Sequence, residues 1–340
     1  LNLSKKKNKI SIVCIGKCGY SKIFRKNNIT VYELNSKKLI FSIFLINNLL
    51  KKIFKKKYKN ILISNIHYNN VILTLIAKRI NNLKIVLVER TPLEELDIHF
   101  SIIDYLKKKI LKFLVNLVYP LCDIIIVNSM GIKKGFNNSL LKKIKVIYPP
   151  SLNKLNKSIN KIPEKNVFKA VCFSRLSKEK NLECAIKSFA LIKKKNISLT
   201  IYGEGELKNN LISLINNLNI KKKVKIRKVT KFPQKEMKKF DILISPSFFE
   251  GCSNTIIEAL NNNLVVMASN CPGGNSEILS NKGSGLLFET NNEHDLSQKI
   301  NKIVKNFKFY FNKSKKNRQN LKKFLLNSNV KKFSNIFESI

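Results

Sequence analysis

Short β-branched and apolar runs alternate with longer amphipathic stretches along almost the whole chain, and this alternation constrains the fold more than any other feature. The spacing predicts strands at Ile10–Ile15, Ile29–Leu34, Ile61–Ser64, Lys84–Val88, Asp123–Val127 and Lys145–Tyr148. Helical periodicity fills the intervals at Lys37–Lys56, Val71–Asn81, Ile102–Leu121 and Gly131–Asn138. The runs are continuously apolar, as expected of strands covered on both faces. Strand–helix alternation of this kind points to an α/β fold built on parallel, doubly wound sheets.

The pattern stops at Pro149-Pro150-Ser151, and the polar stretch to Lys165 reads as a linker. It resumes with strands at Phe168–Phe173, Ser198–Tyr202, Lys223–Ile226, Asp241–Ser245, Leu264–Ala268 and Leu286–Phe288. Helices are expected at Leu182–Lys194, Glu206–Leu218, Lys235–Lys239, Asn254–Asn261 and Glu293–Lys305, and from Phe309 the Lys-rich chain reads as helix to Ile340. The 340 residues thus divide into one domain over 1–150, a second over 166–308, and a helical segment over 309–340 whose return to the first domain stays open.

Lys plus Arg number 65 and Asp plus Glu 21, a formal charge of +44. Such a charge invites a nucleic-acid reading. Two features argue against it. The arginines are few: Arg25, Arg79, Arg90, Arg175, Arg227 and Arg318. Arginine is the side chain that grips phosphates and base edges with paired hydrogen bonds. Lys, Asn and Ile are also dense everywhere, as in a genome drifting toward AT-rich codons. The expectation is a solvated Lys surface, with attraction to an anionic membrane surface left open and no nucleic-acid partner.

Seven cysteines, an odd number without a C-x-x-C pair, sit partly inside apolar runs and read as reduced, mostly buried thiols. That favours a cytoplasmic protein. His67, His99 and His294 lack zinc-ligand spacing, so neither metal nor cofactor is expected. The opening Leu-Asn-Leu-Ser-Lys-Lys-Lys carries no secretory signal, and no apolar run reaches the roughly 20 residues needed to span a bilayer. Lys107, Lys108, Lys109 and Lys112 precede Phe113–Leu117 on one predicted helix. Peripheral contact with the inner face of the cytoplasmic membrane and a plain solvated Lys face are both open for it.

The chemistry concentrates in Phe248-Phe249-Glu250-Gly251-Cys252-Ser253-Asn254-Thr255-Ile256-Ile257-Glu258-Ala259, directly after the strand Asp241–Ser245. Glu250 falls in the loop and Glu258 on the following helix. Gly251 gives the loop backbone freedom, and Ser253 or Asn254 suits a helix N-cap. The amides of Thr255 and Ile256 then lack intrahelical partners and can take an anion such as phosphate. A loop carboxylate for a sugar hydroxyl, a helix start for a phosphate and a helix carboxylate for a ribose together fit a sugar nucleotide. An N-capped helix with an incidental glutamate is the plainer alternative.

Around this segment the sequence resembles glycosyltransferase family 4, from about Asp123 to about Lys305. Phe173-Ser174-Arg175-Leu176-Ser177-Lys178-Glu179-Lys180 looks like the family's G-R-L-x-x-x-K loop, with Ser174 in place of glycine. Ile201-Tyr202-Gly203-Glu204-Gly205 looks like its V-G-x-G turn, and Glu250 to Glu258 like its paired glutamates. Asn270-Cys271-Pro272-Gly273-Gly274-Asn275-Ser276-Glu277-Ile278 looks like its glycine-rich loop, and Ala-Asp-type strand wording recurs at Cys122-Asp123 through Ser129. The resemblance implies the GT-B fold, two Rossmann-like domains facing a cleft, and a retaining transfer of a hexose or N-acetylhexosamine from a nucleotide sugar, with UDP favoured. The acceptor it implies is a glycan or lipid-linked sugar in cell-surface polysaccharide synthesis.

The resemblance also implies roles. Arg175 and Lys180 would hold the donor diphosphate and neutralise the leaving group. Glu250 would contact the transferred sugar, with Gly251, Asn254 and Thr255 lining the same site, and Glu258 would accept the ribose hydroxyls. Gly273, Gly274 and Asn275 would bring backbone amides against sugar or phosphate, and Gly203 would permit a tight turn beside the pocket. The family's glycine-rich first loop is missing after Ile10–Ile15, which suggests that a first strand precedes this sequence. Where many relatives carry a histidine, this chain has Glu89-Arg90-Thr91-Pro92, so Arg90 is either a site contact or a structural ion pair. A sugar-nucleotide epimerase of the same fold, a basic RNA-binding protein and an inactive fragment are the rival readings.

Overall fold

The computed structural model describes residues 9–36, 39–54, 59–157, 166–194, 196–279 and 286–340. The opening lysines, the ends of the predicted helix Lys37–Lys56, the later part of the predicted linker and residues 280–285 lie outside the described residues.

All strands pair in parallel. In the first half, β1 (Ser11–Cys14) and β2 (Thr30–Glu33) form a two-stranded sheet. A separate four-stranded sheet holds β3 (Asn60–Asn65), β4 (Leu83–Glu89), β5 (Ile124–Val127) and β6 (Ile144–Val146) in chain order. The alternation predicts these strands but not the division between two sheets. The helix Ile43–Ile53 bridges them, because its Ile46 and Leu50 share one apolar cluster with Leu34 beyond β2 and Leu62 of β3.

The second half carries β7 (Phe168–Phe173), β8 (Ile197–Tyr202), β9 (Val224–Arg227), β10 (Ile242–Ser245), β11 (Val265–Ser269) and β12 (Leu286–Phe288). Their order is β12-β11-β10-β7-β8-β9. This is the doubly wound order in which the chain reverses direction across the sheet after its third strand. Side chains alternate as a pleated strand requires. Ala170 and Cys172 of β7 enter one core with Ile186, Phe189 and Leu199, while Val171 enters the opposite core with Leu243, Ile256 and Leu260. Ile85 and Leu87 of β4 likewise face away from Val86 and Val88.

The stretch read as a polar linker is anchored over its described part. Leu152 is buried and pairs with Leu325: its amide donates to Phe324 O at 3.1 Å, and its carbonyl accepts from Leu326 N at 2.9 Å. The same pairing interrupts the expected terminal helix, which divides into Phe307–Asn317, a 3-10 segment Arg318–Phe324 and Leu326–Ser339. A tertiary strand-like contact overrides local helical propensity here. Phe333, Ile336 and Phe337 of the last helix then pack on Val86, Val88 and Ile126 of the first-half sheet. Leu152→Ala should therefore lower unfolding stability by roughly 2–5 kcal/mol, as expected for truncation of a buried leucine. Chemical denaturation would measure it, and a loss below about 0.5 kcal/mol would show an unanchored linker.

Candidate active site

Between β7 and β10 the strand order reverses: β8 and β9 lie to one side, β11 and β12 to the other. Loops leaving the carboxyl ends of such a pair run apart, and the crevice between them is the characteristic ligand position of open α/β sheets. The loop after β7 carries Arg175, Glu179 and Lys180; the loop after β10 carries Glu250.

These two loops meet. Lys180 Nζ donates to Glu250 Oε1 at 2.8 Å, and the Ser247 hydroxyl donates to the same oxygen at 2.7 Å. The lysine and glutamate side chains are only 18% and 15% exposed. Asn181, in the left-handed conformation that asparagine tolerates, closes the short turn carrying Lys180. Arg175 stands at the rim, 76% exposed, where its Nη2 donates to Glu179 Oε1 at 2.8 Å. Ser253 N-caps the helix Asn254–Asn261 through its backbone, and no side chain caps the first turn. The unspent amides and the helix dipole there favour an anion.

Arg175, Lys180, Glu250, Gly251, Asn254 and Thr255 all line one cleft of about 320 Å³. Arg90, Thr91 and Asn128 form its wall from the first half of the chain. The two halves approach to backbone contact: a β-carbon on Gly251 would lie 1.6 Å from the Arg90 carbonyl oxygen. Glu277 ties them further by accepting from Met130 N at 2.7 Å and from the Tyr148 hydroxyl. Phe100 of the first half also meets Phe248 of the second, with ring centroids 5.8 Å apart.

Other residues singled out in the sequence brace the cleft without lining it. Gly273 pairs with Glu250 in an isolated bridge, and Gly274 N donates to Glu250 O at 3.1 Å, so that amide is spent inside the protein. Asn275 is fully buried and donates from Nδ2 to Ser269 O at 3.1 Å. Gly203 lies against the Ser174 carbonyl behind the β7 loop. Glu258 sits one turn beyond Asn254. Burial pushes its carboxyl above the ordinary range, and a hydrogen bond from Gln234 works against that shift.

Behind Arg90 lies a cluster that motif matching does not reveal. Glu89, wholly buried at the end of β4, has Oε2 2.9 Å from His67 Nδ1, and its Oε1 accepts from Asn70 Nδ2 at 2.6 Å and from the Tyr119 hydroxyl. The signal available in the sequence is a Glu-Arg pair at a strand end. Its partners come from helix and turn positions far away in the chain.

Two halves built on parallel sheets, flanking a cleft at the switch point of the second, have the arrangement of the GT-B class. Sucrose-phosphate synthase from Thermosynechococcus elongatus has a similar fold, with a TM-score of 0.81 at 13% identity over 99% of this chain and 90% of that one. So does Anabaena HepE, solved with UDP, with a TM-score of 0.76 at 17% identity over 99% and 94%. Residues 154–324, half of the chain, match the family described as glycosyl transferases group 1, and the chain belongs to that family. In sequence it is 33% identical over 213 residues to the Campylobacter jejuni N-acetylgalactosamine-N,N'-diacetylbacillosaminyl-diphospho-undecaprenol 4-alpha-N-acetylgalactosaminyltransferase. That match covers 60% of this chain and 58% of the enzyme. It is 31% identical over 140 residues to the Staphylococcus aureus poly(ribitol-phosphate) alpha-N-acetylglucosaminyltransferase, covering 41% of this chain and 28% of that enzyme. The chain thus spans only part of the length of these relatives.

Gly273 has φ +111°, and a β-carbon there would lie 1.6 Å from Glu250 O. Gly273→Ala should lower stability by more than about 1 kcal/mol and displace Glu250. Denaturant unfolding checks the first effect. An alanine variant of unchanged stability would show that the two loops do not pack as described.

Proposed function

We propose that the chain moves an N-acetylhexosamine or hexose from a UDP-sugar to a lipid-linked or polysaccharide acceptor at the surface of an anionic bilayer. The observation that carries the donor half is the convergence of Lys180, Glu250 and the uncapped start of helix Asn254–Asn261 in one cleft. The diphosphate occupies the side offering cations and amides. Arg175 and Lys180 neutralise the charge that grows on it as the glycosidic bond breaks. In the free protein Lys180 is already held among protein groups by Glu250. An arriving diphosphate therefore exchanges one anion for another at this lysine and releases Glu250 to accept sugar hydroxyls.

Glu258, one turn along the helix from the cleft-lining Asn254 and Thr255, accepts ribose hydroxyls that reach beyond the cleft's present lining, and Gly273, Gly274 and Asn275 act through the Glu250 loop that they brace. Transfer proceeds with retention, the leaving phosphate taking the acceptor proton on the same face, so no side-chain nucleophile is needed. The UDP complex of Anabaena HepE supports UDP as the nucleotide. The undecaprenol-linked acceptor in the name of the C. jejuni relative supports a lipid-linked acceptor here.

The bilayer part of the reading rests on helix Ile102–Val118. Ile103, Leu106, Ile110, Phe113 and Leu117 recur at helical spacing and are all exposed. Two of the four lysines noted in the sequence are engaged locally: Lys108 donates to Ile98 O at 2.6 Å, and Lys112 pairs with Asp97 at 2.6 Å. Lys107 and Lys109 stay exposed beside the apolar face. An apolar stripe edged by lysine on a chain of charge +44 fits the headgroup layer of anionic lipid, on the cytoplasmic side. Among the described residues, no helix is long and apolar enough to cross a membrane.

Lys180→Ala should lower kcat/KM for sugar transfer by about 100- to 1000-fold, measured with UDP-sugars and lipid-linked or polyol-phosphate acceptors. Epimerised or hydrolysed UDP-sugar as the main product, independent of acceptor, would sink the transferase reading. In flotation assays the protein should bind phosphatidylglycerol-containing vesicles over pure phosphatidylcholine, and Phe113→Glu should abolish that preference. Equal binding to both vesicle types by the wild-type protein would remove the bilayer from the reading.

A further inference from the structure

We propose that a buried Glu89–His67–Thr91 chain fixes the Thr91 hydroxyl as a hydrogen-bond donor aimed into the cleft, where it meets a sugar or phosphate oxygen of the bound nucleotide sugar. The inference rests on the donor-binding reading above, and it adds to the site a positioning residue, His67, that touches no substrate itself.

Glu89, His67 and Thr91 lie in succession, the first pair at ion-pair distance and the second at hydrogen-bond distance. His67 and Glu89 are 1% and 0% exposed, with His67 Nδ1 2.9 Å from Glu89 Oε2. The carboxylate's other oxygen accepts from Asn70 and Tyr119, and the negative charge 2.9 Å from Nδ1 favours a proton on that nitrogen. The opposite ring nitrogen, Nε2, is 3.2 Å from Thr91 Oγ1. Thr91 lines the cleft shared with Lys180 and Glu250.

A threonine hydroxyl has one proton, and the state of Nε2 decides where it goes. A protonated Nε2 donates to Thr91 Oγ1, and the threonine proton is free to point outward. A bare Nε2 accepts that proton and turns it inward. His67 therefore acts on the substrate through the orientation of a second residue. Burial disfavours charge on this ring, but the hydrogen bond and charge of Glu89, the charge of Glu95 and the Pro92 carbonyl outweigh it and raise its pKa above the ordinary histidine value. The groups facing the ring come from several elements: Glu89 from β4, Tyr119 from the turn Tyr119–Leu121, Asn70 from the ring's own helix, and Glu95 from the turn Leu93–Asp97. Tyr68 stands next to His67 on that helix, and its hydroxyl is held protonated by burial and by Asp104 and Glu95.

The backbone also holds His67 in place. Ile66 has φ +76°, a conformation a β-branched residue resists, and its amide donates to Val88 O at 3.2 Å, one residue before Glu89. The strand end that supplies Glu89 thus also fixes the entry to the helix that supplies His67.

The test compares Thr91→Val, Thr91→Ser and His67→Gln with wild type across the pH range. Wild-type kcat should fall as pH rises through the raised pKa of His67. Thr91→Val, nearly isosteric, should cost about tenfold in kcat, with less change in donor KM, and should erase that alkaline limb; Thr91→Ser should restore both. His67→Gln should flatten the same limb. Nitrogen-15 imidazole spectra give a readout that needs no turnover, because the chain has three histidines and His67→Gln identifies the signal. His67 should titrate above the ordinary histidine range and carry protons on both ring nitrogens below that titration, and Thr91→Val should shift Nε2. A Thr91→Val enzyme with wild-type kcat and pH profile overturns the proposal, as does a His67 ring that titrates at or below the ordinary histidine value. If wild type transferred no sugar from any UDP-sugar, the proposed function would fall, and the spectra would still decide whether the Glu89–His67–Thr91 chain exists.

Discussion

Pairing of β7 with β10 holds the two chemically active loops together. Ile242 lies opposite Ala170 and Leu243 opposite Val171, while the remaining strands build outward in opposite directions from that pair. Because parallel strands are joined by crossovers on the sheet faces, the two loops at this reversal are free to diverge. The register is locked from both sides. A slip of one residue would exchange Ala170 and Cys172 with Val171 between two filled cores. The 2.8 Å contact of Lys180 with Glu250, side chains 70 residues apart in sequence, depends on that lock.

Charge sharpens the same point. With 21 carboxylates against 65 bases, most of the surface has cations in excess. Around the cleft, however, Glu89, Glu179, Glu250 and Glu277 each hold a defined partner: His67, Arg175, Lys180 and the Met130 amide. The net charge therefore says little about the site. An anion entering the cleft meets cations and amides that are already oriented, and orientation ahead of the reaction is what makes such groups effective.

Legibility in the sequence tracks locality. Strand Phe168–Phe173 and helices Asn254–Asn261 and Glu293–Lys305 have the predicted bounds, because apolar periodicity and flanking polar residues set them locally. Glu250 and Lys180 were legible as motif residues, but their direct contact was not. Leu152 looked like linker because its apolar partner, Leu325, lies in the terminal segment. The expectation of open glycine amides fails to register that Gly274 N is taken by Glu250 O. The Glu89 cluster was invisible for the same reason: Asn70, His67 and Tyr119 reach it from positions that share no short motif.

The contacts between the halves bear on how such a site works. Arg90 and Gly251 touch backbone to backbone, and Glu277 is the carboxylate that receives both Met130 and Tyr148. These polar and backbone contacts stand beside apolar ones, the Phe100–Phe248 ring pair and the packing of Phe333, Ile336 and Phe337 on the first-half sheet. Arg90 and Thr91 belong to one half, Lys180 and Glu250 to the other. Any rotation that opens the Gly251–Arg90 contact therefore separates the two walls of the cleft, and closure restores both together.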